Sequence, residues 1–587
     1  MVLSTTSNED IPFSTCLKPD AWSRLLEEAG ILQEFKGVPE GLREGFHIGV
    51  DGYRVEYTFI PPNHFRTEAE ADIIRAKFKE EISLGRISAG MSPEDAQQLL
   101  GNFRTVPMAV LEQRPGKFRI IINHSYPKLN FTSPPPHFTA PPTEIAKSIK
   151  VIDPAKISIN SLIDSDDFPC DWGTFANCYL LVADAPEGTQ VAIFDVDAAF
   201  RNIPIHPSVR HLVCLFLDGL IHLDLMLNFG ECSAPGIWGH VADAMVKILL
   251  HRGVEALLKW VDDFIFFRYP KTRTSTGSFT YSYDESLIWD TAEILGWPWA
   301  PKKFVPFAHF FTYIGFLWKL DLKTVELLAD KKSKYRSKLA PWLSEEKLVK
   351  DKADSIIGTL NHVCLVAPEG RSRLIHFYRF RASFKDSTST LIKHRIPNDL
   401  RTDILWWDQL LQQDFIGIKI ERPPEFSDDV IFVDASTCWG IGLILNGKWL
   451  AWELREGWRD DEGRHIGWAE MVAIKLAIRT LISTGRSGLR IRIYSDNKGV
   501  VGALHRGCSR GPQQNLILQK IVELMQKHNI WVEPEWVSTH DNITDAPSRA
   551  HFPPRALLHP HPPAIPSHLK LFVHNSVSFH DPRLIPT

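Results

Sequence analysis

Two adjacent carboxylates interrupt an apolar stretch of the sequence. Asp262 and Asp263 stand in the middle of residues 257–267, LLKWVDDFIFF, a pattern that predicts a strand, a turn and a second strand. Half-burying two carboxylates side by side is costly unless a partner neutralises them, and a hard divalent cation is the usual partner. A surface hairpin with a polar Asp-Asp turn explains this segment alone equally well.

A second acidic segment favours the metal interpretation. The apolar run from Val191 to Phe194 ends at Asp195, and small residues then lead into Phe200. Between the two acidic segments, residues 227–236 contain glycine and proline and open a predicted helix. Acids that end two apolar strands can converge on one ion, so the sequence favours a metal site over a polar turn.

Four further acids follow after residue 425. They are Asp434 after the strand-like residues 430–433, Glu470 in a helical stretch over 468–478, Asp496 after the strand-like residues 489–494, and Asp545 near the C-terminus. Glu470 is expected in the first turn of its helix. The helix dipole favours an acid there, which is a non-catalytic explanation for this residue.

The elements that must position these acids alternate between helix and strand. The pattern predicts a helix over residues 68–84, a strand pair at 105–111 and 117–123 joined through Arg114-Pro115-Gly116, a mainly helical region over 331–412, and a boundary at Pro423-Pro424. The proline-rich residues 127–143 indicate an ordered loop or linker, and the prolines after residue 552 indicate a flexible tail. Residues 1–60 give weak signals, and their structure stays open.

Length and composition exclude several classes of protein. With 587 residues, of which 44% are hydrophobic, the chain can build packed cores, about four of them at roughly 150 residues per domain. A formal charge of −4 argues against a basic coat protein but allows a locally basic groove. The 8 cysteines show no C-x-x-C spacing, which argues against zinc ribbons. Without a signal peptide or an uninterrupted apolar span, we expect a soluble intracellular protein of the cytoplasm or nucleus.

The order of the three segments around Asp195, residues 227–236 and Asp262-Asp263 resembles the palm of reverse transcriptases. Upstream, residues 116–121, GKFRII, look like the fingers segment that contacts the incoming triphosphate. Downstream, Lys302-Lys303 and residues 313–316, YIGF, are similar to the last palm motifs of the family. Each segment alone is a weak signal. Six segments in the family's order over roughly 200 residues make a coincidental match a weak explanation.

The resemblance implies roles for the matching residues. Asp195, Asp262 and Asp263 would hold two Mg²⁺ ions, or Mn²⁺, about 3.5–4 Å apart, with the main-chain carbonyl of Val196 as a further ligand. The other roles are triphosphate neutralisation by Lys117 and Arg119, exclusion of a ribose 2′-hydroxyl by Phe200, contact with the nascent base pair by Phe229 and Gly230, and protonation of pyrophosphate by Lys303 or Lys302. A solvated strand face is a less favoured explanation for Lys117 and Arg119. Core packing would also explain Phe200, and the two roles of this residue are compatible.

The chain departs from the family pattern at several positions. Ala198 stands where the family often has an acid, and Asp197 lies one place earlier. Because side chains alternate along a strand, Asp197 is expected on the same face as Asp195 and could act as an auxiliary ligand. Gln113, Asn228 and Trp260 replace the more usual lysine, proline and tyrosine. These departures bear on processivity and nucleotide affinity rather than on the reaction type.

The later acids resemble those of ribonuclease H. The resemblance implies that Asp434, Glu470, Asp496 and Asp545 chelate two Mg²⁺ ions and hydrolyse the RNA strand of a hybrid. His540, five residues before the last acid, would shuttle protons or help the product leave. An ordinary loop histidine is an equally simple explanation.

Together the resemblances imply an α/β and α+β multidomain fold, a right-hand polymerase of fingers, palm and thumb or connection followed by a ribonuclease H-like α/β domain. The expected divisions are an N-terminal extension (1–67), fingers and palm (68–330), a helical thumb or connection (331–425), the ribonuclease H-like domain (426–550) and a Pro/His-rich tail (551–587).

Short motifs indicate the branch of the family. Residues 542–549, NITDAPSR, look like the nuclease terminus of gypsy-type and DIRS-type retrotransposons. Residues 356–363 with 368–371 resemble the thumb and connection of DIRS-type elements, although an ordinary helix and loop explains them equally well.

The expected function is RNA- and DNA-directed DNA synthesis with ribonuclease H activity, carried by the polymerase–nuclease part of a retroelement or by a gene derived from one. Its partners would be an RNA template, a DNA primer, an RNA/DNA hybrid and dNTPs, without a membrane. One alternative is a decayed or domesticated copy that binds nucleic acid without copying it. Another is a protein in which only the nuclease is active.

Overall fold

The computed structural model of the protein describes residue 8 and residues 11–114, 116–128, 150–384, 391–459 and 463–584. Pro115 of the expected turn and residues 129–143 of the proline-rich stretch lie outside the described residues. The chain divides into two compact units, Met1–Ile314 with Lys319–Asp321, and Gly315–Trp318 with Leu322–Thr587. Within the described ranges, no helix combines the length and apolar character needed to cross a membrane.

The first unit combines seven helices with thirteen strands among its described residues. The helices are α1 Pro19–Glu28, α2 Gly37–Glu44, α3 Glu68–Ser83, α4 Pro93–Leu100, α5 Phe175–Asp184, α6 Ala234–His251 and α7 Glu285–Leu295. The strands are β1 Tyr53–Val55, β2 Met108–Arg114, β3 Lys117–Ile122, β4 Lys150–Ile152, β5 Gln190–Asp195, β6 Leu215–Leu217, β7 Leu220–His222, β8 Ala256–Trp260, β9 Asp263–Arg268, β10 Pro270–Arg273, β11 Phe279–Tyr281, β12 Val305–Ala308 and β13 Phe310–Tyr313.

A four-stranded antiparallel sheet in the order β12-β5-β9-β8 forms the centre of the first unit. The predicted strands around both acidic segments are therefore confirmed. Residues 17–55, part of the stretch that the sequence left open, contribute to the same core, because Trp22, Leu26 and Val38 are fully buried with the sheet and α6. The indole of Trp22 also donates a hydrogen bond to the carbonyl oxygen of Leu295, 3.1 Å away.

The predicted helix over residues 68–84 is also confirmed. The predicted strand pair is present, but its first strand is Met108–Arg114 rather than 105–111. Thr67 and Glu70 form a reciprocal capping box that starts α3. Strands β2 and β3 pair as a hairpin, and β2 packs with α3 around Phe78 and Met108. This arrangement places the cations of β3 on a partly exposed hairpin.

From Phe316 onward the chain adds eight helices and eleven strands among its described residues. The helices are α8 Ala329–Ser344, α9 Lys350–Val363, α10 Ile375–Ala382, α11 Asn398–Gln412, α12 Ile466–Ser483, α13 Lys498–Arg506, α14 Pro512–His528 and α15 Asp545–Ser548. The strands are β14 Phe316–Lys319, β15 Thr324–Leu327, β16 Lys347–Val349, β17 Lys393–Arg395, β18 Gly417–Lys419, β19 Phe426–Ala435, β20 Gly440–Leu445, β21 Lys448–Leu454, β22 Arg490–Ser495, β23 Trp531–Trp536 and β24 Val573–Ser576.

A six-stranded mixed sheet in the order β23-β22-β19-β20-β21-β24 dominates the second unit. Strands β19, β22 and β23 are parallel, whereas β20, β21 and β24 continue the sheet in antiparallel pairs. Helix α12 is buried along most of its length against this sheet, and α14 packs beside it. The helical character predicted for residues 331–412 is confirmed by α8 to α11.

The expectation of a flexible tail after residue 552 is wrong. Strand β24 pairs with β21, and Leu558, Leu569 and Val573 are buried in the core of the sheet. The tail is also bound to α12, where the Nζ of Lys475 lies 2.6 Å from Nε2 of His568. The prolines indicated a loop, but the apolar residues spaced between them fill the core through tertiary contacts.

Candidate active sites

A tight turn holds the paired acids of the first unit. Trp260 pairs with Asp263 across β8 and β9, so Val261 and Asp262 form a two-residue hairpin loop. Val261 has φ 56, a conformation that costs a β-branched residue about 1–3 kcal/mol and needs support from its surroundings. Trp238 supplies that support, because its indole N–H donates to the carbonyl oxygen of Val261 at 2.8 Å.

The three predicted polymerase acids lie together at the end of the central sheet. Asp195 is directly opposite Asp263 in the β5–β9 pair, and the carbonyl oxygen of Asp262 accepts a hydrogen bond from the N–H of Val196 at 2.8 Å. Burial and the charges of Asp262 and Asp195 raise the pKa of Asp263 to about 6. Burial also raises the pKa of Asp262, and the Asp195 charge adds to the effect.

Lys303, rather than its neighbour Lys302, contacts this acidic site. The Nζ of Lys303 lies 2.5 Å from Oδ1 of Asp195, and that hydrogen bond raises the pKa of the lysine. The lysine side chain is 61% exposed, so it can exchange this contact for another anion at the same place. The sequence had left the choice between the two lysines open.

The regular strand does not extend to Asp197, so its expected auxiliary role beside Asp195 stays a prediction. Strand β5 ends at Asp195, and Ala198 has the left-handed φ of 52 that starts a short 3₁₀ turn. Asp197 is exposed, and its N–H donates to the carbonyl oxygen of Pro298 at 2.8 Å. Because the strand has ended, strand alternation does not place Asp197 beside Asp195.

Aromatic and cationic side chains adjoin the acids of the first unit. Phe200 is 4% exposed and packs edge-on against Phe229, with 4.6 Å between ring centroids. The guanidinium of Arg119 lies 4.2 Å from the centroid of Phe229. Lys117 is exposed on β3, and Gly230 has φ 94 beside the half-exposed Phe229. Phe200 is thus packed in the core, and its role against a ribose hydroxyl stays a prediction.

Three acids of the second unit converge on one point. Asp434 lies near the end of β19, and Asp496 directly follows β22. These two strands are adjacent and parallel, so their carboxyl ends meet at one edge of the sheet. Glu470 projects from α12, and oxygens of all three carboxylates lie within 4.8 Å of one another. The helix begins at Ile466, so Glu470 stands in its second turn rather than the predicted first turn, where the dipole explanation is weak.

The electrostatics of this cluster fit a divalent cation. Burial and the charges of Asp434 and Asp496 raise the pKa of Glu470 to about 9. Burial is also the main cause that raises the pKa of Asp434 to about 6. Oε2 of Glu470 is buried, and no hydrogen-bond partner lies among the residues that the structure describes. A buried oxygen without a donor, among acids that repel one another, matches the oxygen ligands that Mg²⁺ prefers.

A glycine allows Asp545, the fourth acid of the predicted nuclease set, to lie close to the sheet. Gly442 lies opposite Asp434 in the β19–β20 pair, and a Cβ at Gly442 would lie 2.8 Å from the carbonyl oxygen of Thr544. Only glycine therefore allows α15, which begins at Asp545, to pack this close to the strand. Ser548 of the same helix donates to Oδ2 of Asp434 at 2.5 Å.

Asp545 and His540 have well-defined partners. Nε of Arg549 donates to both carboxylate oxygens of Asp545, at 2.9 and 3.0 Å. The charge of Asp545 contributes to the raised pKa of Asp434, so the two acids are neighbours. The side chain of His540 is 98% exposed and lies 3.4 Å from Asp541. Its role as a proton shuttle stays a prediction.

Sequence reasoning missed an aromatic surface beside the cluster. Trp536 is 48% exposed, and its indole N–H donates to the carbonyl oxygen of Asp496 at 3.0 Å. The Nζ of Lys498 lies 4.4 Å from the centre of this ring. A fixed, exposed ring with an adjacent cation suits stacking on a nucleic-acid strand. A tryptophan near the end of a strand gives no such signal in sequence, because its exposure is set by where β23 ends.

Comparisons with known proteins find only limited similarity. No protein-family model and no curated protein matches the chain. One similar solved structure is a foamy viral protease-reverse transcriptase in complex with an RNA/DNA hybrid, with 13% identity, a TM-score of 0.44, and coverage of 90% of this chain and 64% of that chain. The protein in complex with dsDNA gives 13% identity, a TM-score of 0.43, and coverage of 90% and 99%.

A third similar structure is the dRH form of the foamy viral protein with ds DNA, at 14% identity, a TM-score of 0.41, and coverage of 89% of this chain and 83% of that chain. This chain therefore spans 64% of the length of the hybrid-bound protein but almost all of the dsDNA-bound one. TM-scores below 0.5 carry no argument about function. The function proposed below rests on the side chains of the two sites. The assignment to the gypsy-type or DIRS-type branch stays a prediction.

Proposed function

We propose that the protein is an RNA- and DNA-directed DNA polymerase with ribonuclease H activity. The observation that carries the proposal is the buried cluster of Asp434, Glu470 and Asp496, whose carboxylate oxygens lie within 4.8 Å of one another and include one buried oxygen without a partner. The Asp195–Asp263 pair at the hairpin turn supports a second site of the same chemical kind. The substrates would be dNTPs, a primed RNA or DNA template, and an RNA/DNA hybrid.

Each site would use its acids to hold Mg²⁺, or Mn²⁺. When bound, a pair of such ions activates the attacking oxygen and stabilises the leaving oxygen of an in-line displacement at phosphorus. In the nuclease, Ser548 holds one oxygen of Asp434 and thereby orients the carboxylate toward the cluster. Arg549 restrains Asp545 in the same way from the other side.

The side chains of the first unit would position a nucleotide. Lys117 and Arg119 lie on the β2–β3 hairpin and could contact the triphosphate. Lys303 contacts Asp195. The ammonium of Lys303 can donate a proton to the departing pyrophosphate, since it already contacts Asp195 at the edge of the site. Phe200 is packed against Phe229, so it forms a rigid wall rather than a movable side chain.

Primer extension and hybrid cleavage test the two activities separately. We expect the parent to extend a DNA primer on an RNA template with dNTPs and Mg²⁺, and Asp262→Asn/Asp263→Asn to lose extension while it keeps cleavage of an RNA/DNA hybrid. Asp434→Asn should give the opposite result. Asp290→Asn and Asp428→Asn are matched controls, because both residues are exposed acids of the same units. Folded parent protein that performs neither reaction would overturn the proposal.

A nuclease without polymerase activity is the second candidate. Its support is the contact between Lys303 and Asp195, since a cation at that acid would have to displace the ammonium or share the carboxylate with it. This candidate predicts hybrid cleavage by the parent, no primer extension at any Mg²⁺ or Mn²⁺ concentration, and cleavage that survives loss of Asp262 and Asp263.

A further inference from the structure

A basic cavity lies in the helical part of the second unit. Its volume is about 680 Å³, and it lies between α10 and the antiparallel pair of strands β16 and β17. The cations along its wall are Lys347, Arg379, Lys393 and Arg395, and the acid among the lining residues is Asp399. None of the candidate catalytic carboxylates lines this cavity. It is therefore a feature that neither active site explains.

The register of this strand pair gathers three of the cations on one face. Lys347 is directly opposite Arg395, and Lys393 is two residues before Arg395 on the same strand. Side chains at opposed and alternate positions share a face of the sheet. Leu348 is 2% exposed, and the ring of His394, which also lines the cavity, stacks on Phe384, so the alternate residues of the two strands pack toward the protein. The three cations themselves are exposed.

This arrangement carries a local electrostatic cost. Like charges directly opposite each other destabilise a strand pair, and Lys347 and Arg395 are such a pair. Neither forms an ion pair within the described part of the chain. The nearest acid to Lys393 is Glu345 at 3.7 Å, and both of those side chains are about half exposed, so the contact is weak. A bound anion would remove the repulsion.

The floor of the cavity is attached to the nuclease part of the same unit. Arg379 of α10 donates to the carbonyl oxygen of Arg510 at 2.6 Å. Nearby, the side-chain amide of Asn515 donates to the carbonyl oxygen of Ser372 at 2.7 Å, and both residues are buried. These contacts connect α10 and the segment before it to the loop after α13 and to α14. An anion in the cavity would be held in a defined place relative to the nuclease sheet.

We propose that this cavity binds the sugar–phosphate backbone of a nucleic-acid strand. Alternate residues on one strand are about 6.7 Å apart, and one strand of a duplex presents a phosphate about every 3.4 Å along its axis. Lys393 and Arg395 can therefore contact nearby phosphates of a single strand, and Lys347 lies beside Arg395 on the neighbouring strand. The binding is electrostatic and independent of metal, so it adds a substrate contact beyond the two active sites.

Salt-dependent binding tests the proposal directly. The affinity for a fluorescent RNA/DNA hybrid of about 20 base pairs is measured in EDTA over a range of KCl concentrations, so that no cleavage occurs. For Lys347→Ala/Lys393→Ala/Arg395→Ala we expect a log–log salt slope that is shallower by about 2–3, since each lost phosphate contact lowers it by about one. The affinity should fall on the order of tenfold at low salt.

A triple variant elsewhere in the second unit is the matched control. Lys448→Ala/Lys527→Ala/Lys570→Ala removes the same charge from exposed positions outside the cavity and should leave the slope nearly unchanged. Equal changes in slope for the two triple variants would overturn the proposal. Failure of the parent to cleave the hybrid in Mg²⁺ would instead count against the proposed function and would leave this binding result intact.

A single substitution separates binding from structural support. Arg395→Glu places an acid directly opposite Lys347, so the strand pair should be equally or more stable in thermal unfolding. The same change should weaken hybrid binding and flatten its salt dependence. Unchanged binding with unchanged stability would refute a phosphate contact here. Inorganic triphosphate that binds the cavity while the hybrid affinity is unaffected by the substitution would also refute the assignment to a strand.

Discussion

Replacement of Glu470 by glutamine tests the nuclease cluster most sharply. The carboxyl is buried with one oxygen lacking a partner, and its neighbours are Asp434 and Asp496. Glutamine keeps the shape, removes the charge and brings an amide that can donate to the adjacent carboxylates. Glu470→Gln should therefore stabilise the metal-free protein while abolishing hybrid cleavage. A purely structural carboxyl would not give this combination.

The pKa of Glu470 sets the size and direction of the stability change. Its pKa is about 9 in the fold, against an ordinary value of 4.5. Because the folded pKa is raised, the stability contribution of this group is fully present below pH 4.5 and is lost as pH rises toward 9. At pH 7 the loss amounts to about 3 kcal/mol, from 1.36 kcal/mol per pH unit. The substitution removes that loss.

Thermal unfolding in EDTA measures the effect. At pH 7 the midpoint of Glu470→Gln should exceed that of the parent by about 6–12 °C, at about 2–4 °C for each kcal/mol. The difference should shrink to nearly nothing at pH 4.5. Addition of Mg²⁺ should raise the midpoint of the parent but not of the variant, because only the parent keeps all its ligands.

Glu523→Gln serves as the control, since this glutamate is about half exposed on α14 and should change stability by less than about 0.5 kcal/mol. A variant that is no more stable than the parent at pH 7 in EDTA would refute the assignment of Glu470 as an uncompensated carboxyl. Equal stabilisation of both proteins by Mg²⁺ would show that the cluster does not bind the ion.

Three further changes test the geometry of the sites. Lys303→Ala should lower primer extension by tenfold or more without affecting hybrid cleavage, whereas Lys302→Ala, which changes the exposed neighbour, should preserve both activities. Gly442→Ala should push α15 away from β20 and reduce hybrid cleavage at least tenfold; Gly358→Ala, which has open space for a Cβ, is the control for cleavage and folding. Trp238→Phe leaves the turn carbonyl unsatisfied at a cost of about 1–3 kcal/mol, and it should impair extension but not cleavage in parallel assays. Unchanged activity in Lys303→Ala, Gly442→Ala or Trp238→Phe would refute the corresponding contact.

The acids of both sites were predictable because they stand at the ends of apolar runs. A carboxylate that terminates such a run, as Asp195 and Asp434 do, indicates the edge of a sheet from the residue pattern alone. The supporting contacts were not predictable, since they depend on how separate segments approach one another. Ser548 and Gly442 act on Asp434 through packing between α15 and the sheet. The choice of Lys303 over Lys302 likewise required the direction of each side chain.

The apolar periodicity predicted the regular helices and strands, but it did not predict the structure near the two ends of the chain. The helix over residues 68–84 has clear apolar spacing and a capping box, so its prediction was accurate to one residue. Residues 11–60 form short helices whose burial comes from partners distant in sequence, as the contact between Trp22 and Leu295 illustrates. Prolines after residue 552 suggested mobility because composition does not report whether a neighbouring core has room for the apolar residues between them.

Strand β24 has a consequence for the order in which the protein is synthesised. A nascent chain that has passed Asp545 already contains every proposed metal ligand, yet it still lacks the strand that covers β21 and the apolar residues that close the core. Until those residues emerge, the open edge of β21 is available for pairing with other chains. A gene truncated between Asp545 and β24 would therefore retain all the proposed metal ligands and still encode an incomplete sheet. Intact motifs alone are a poor measure of an intact fold.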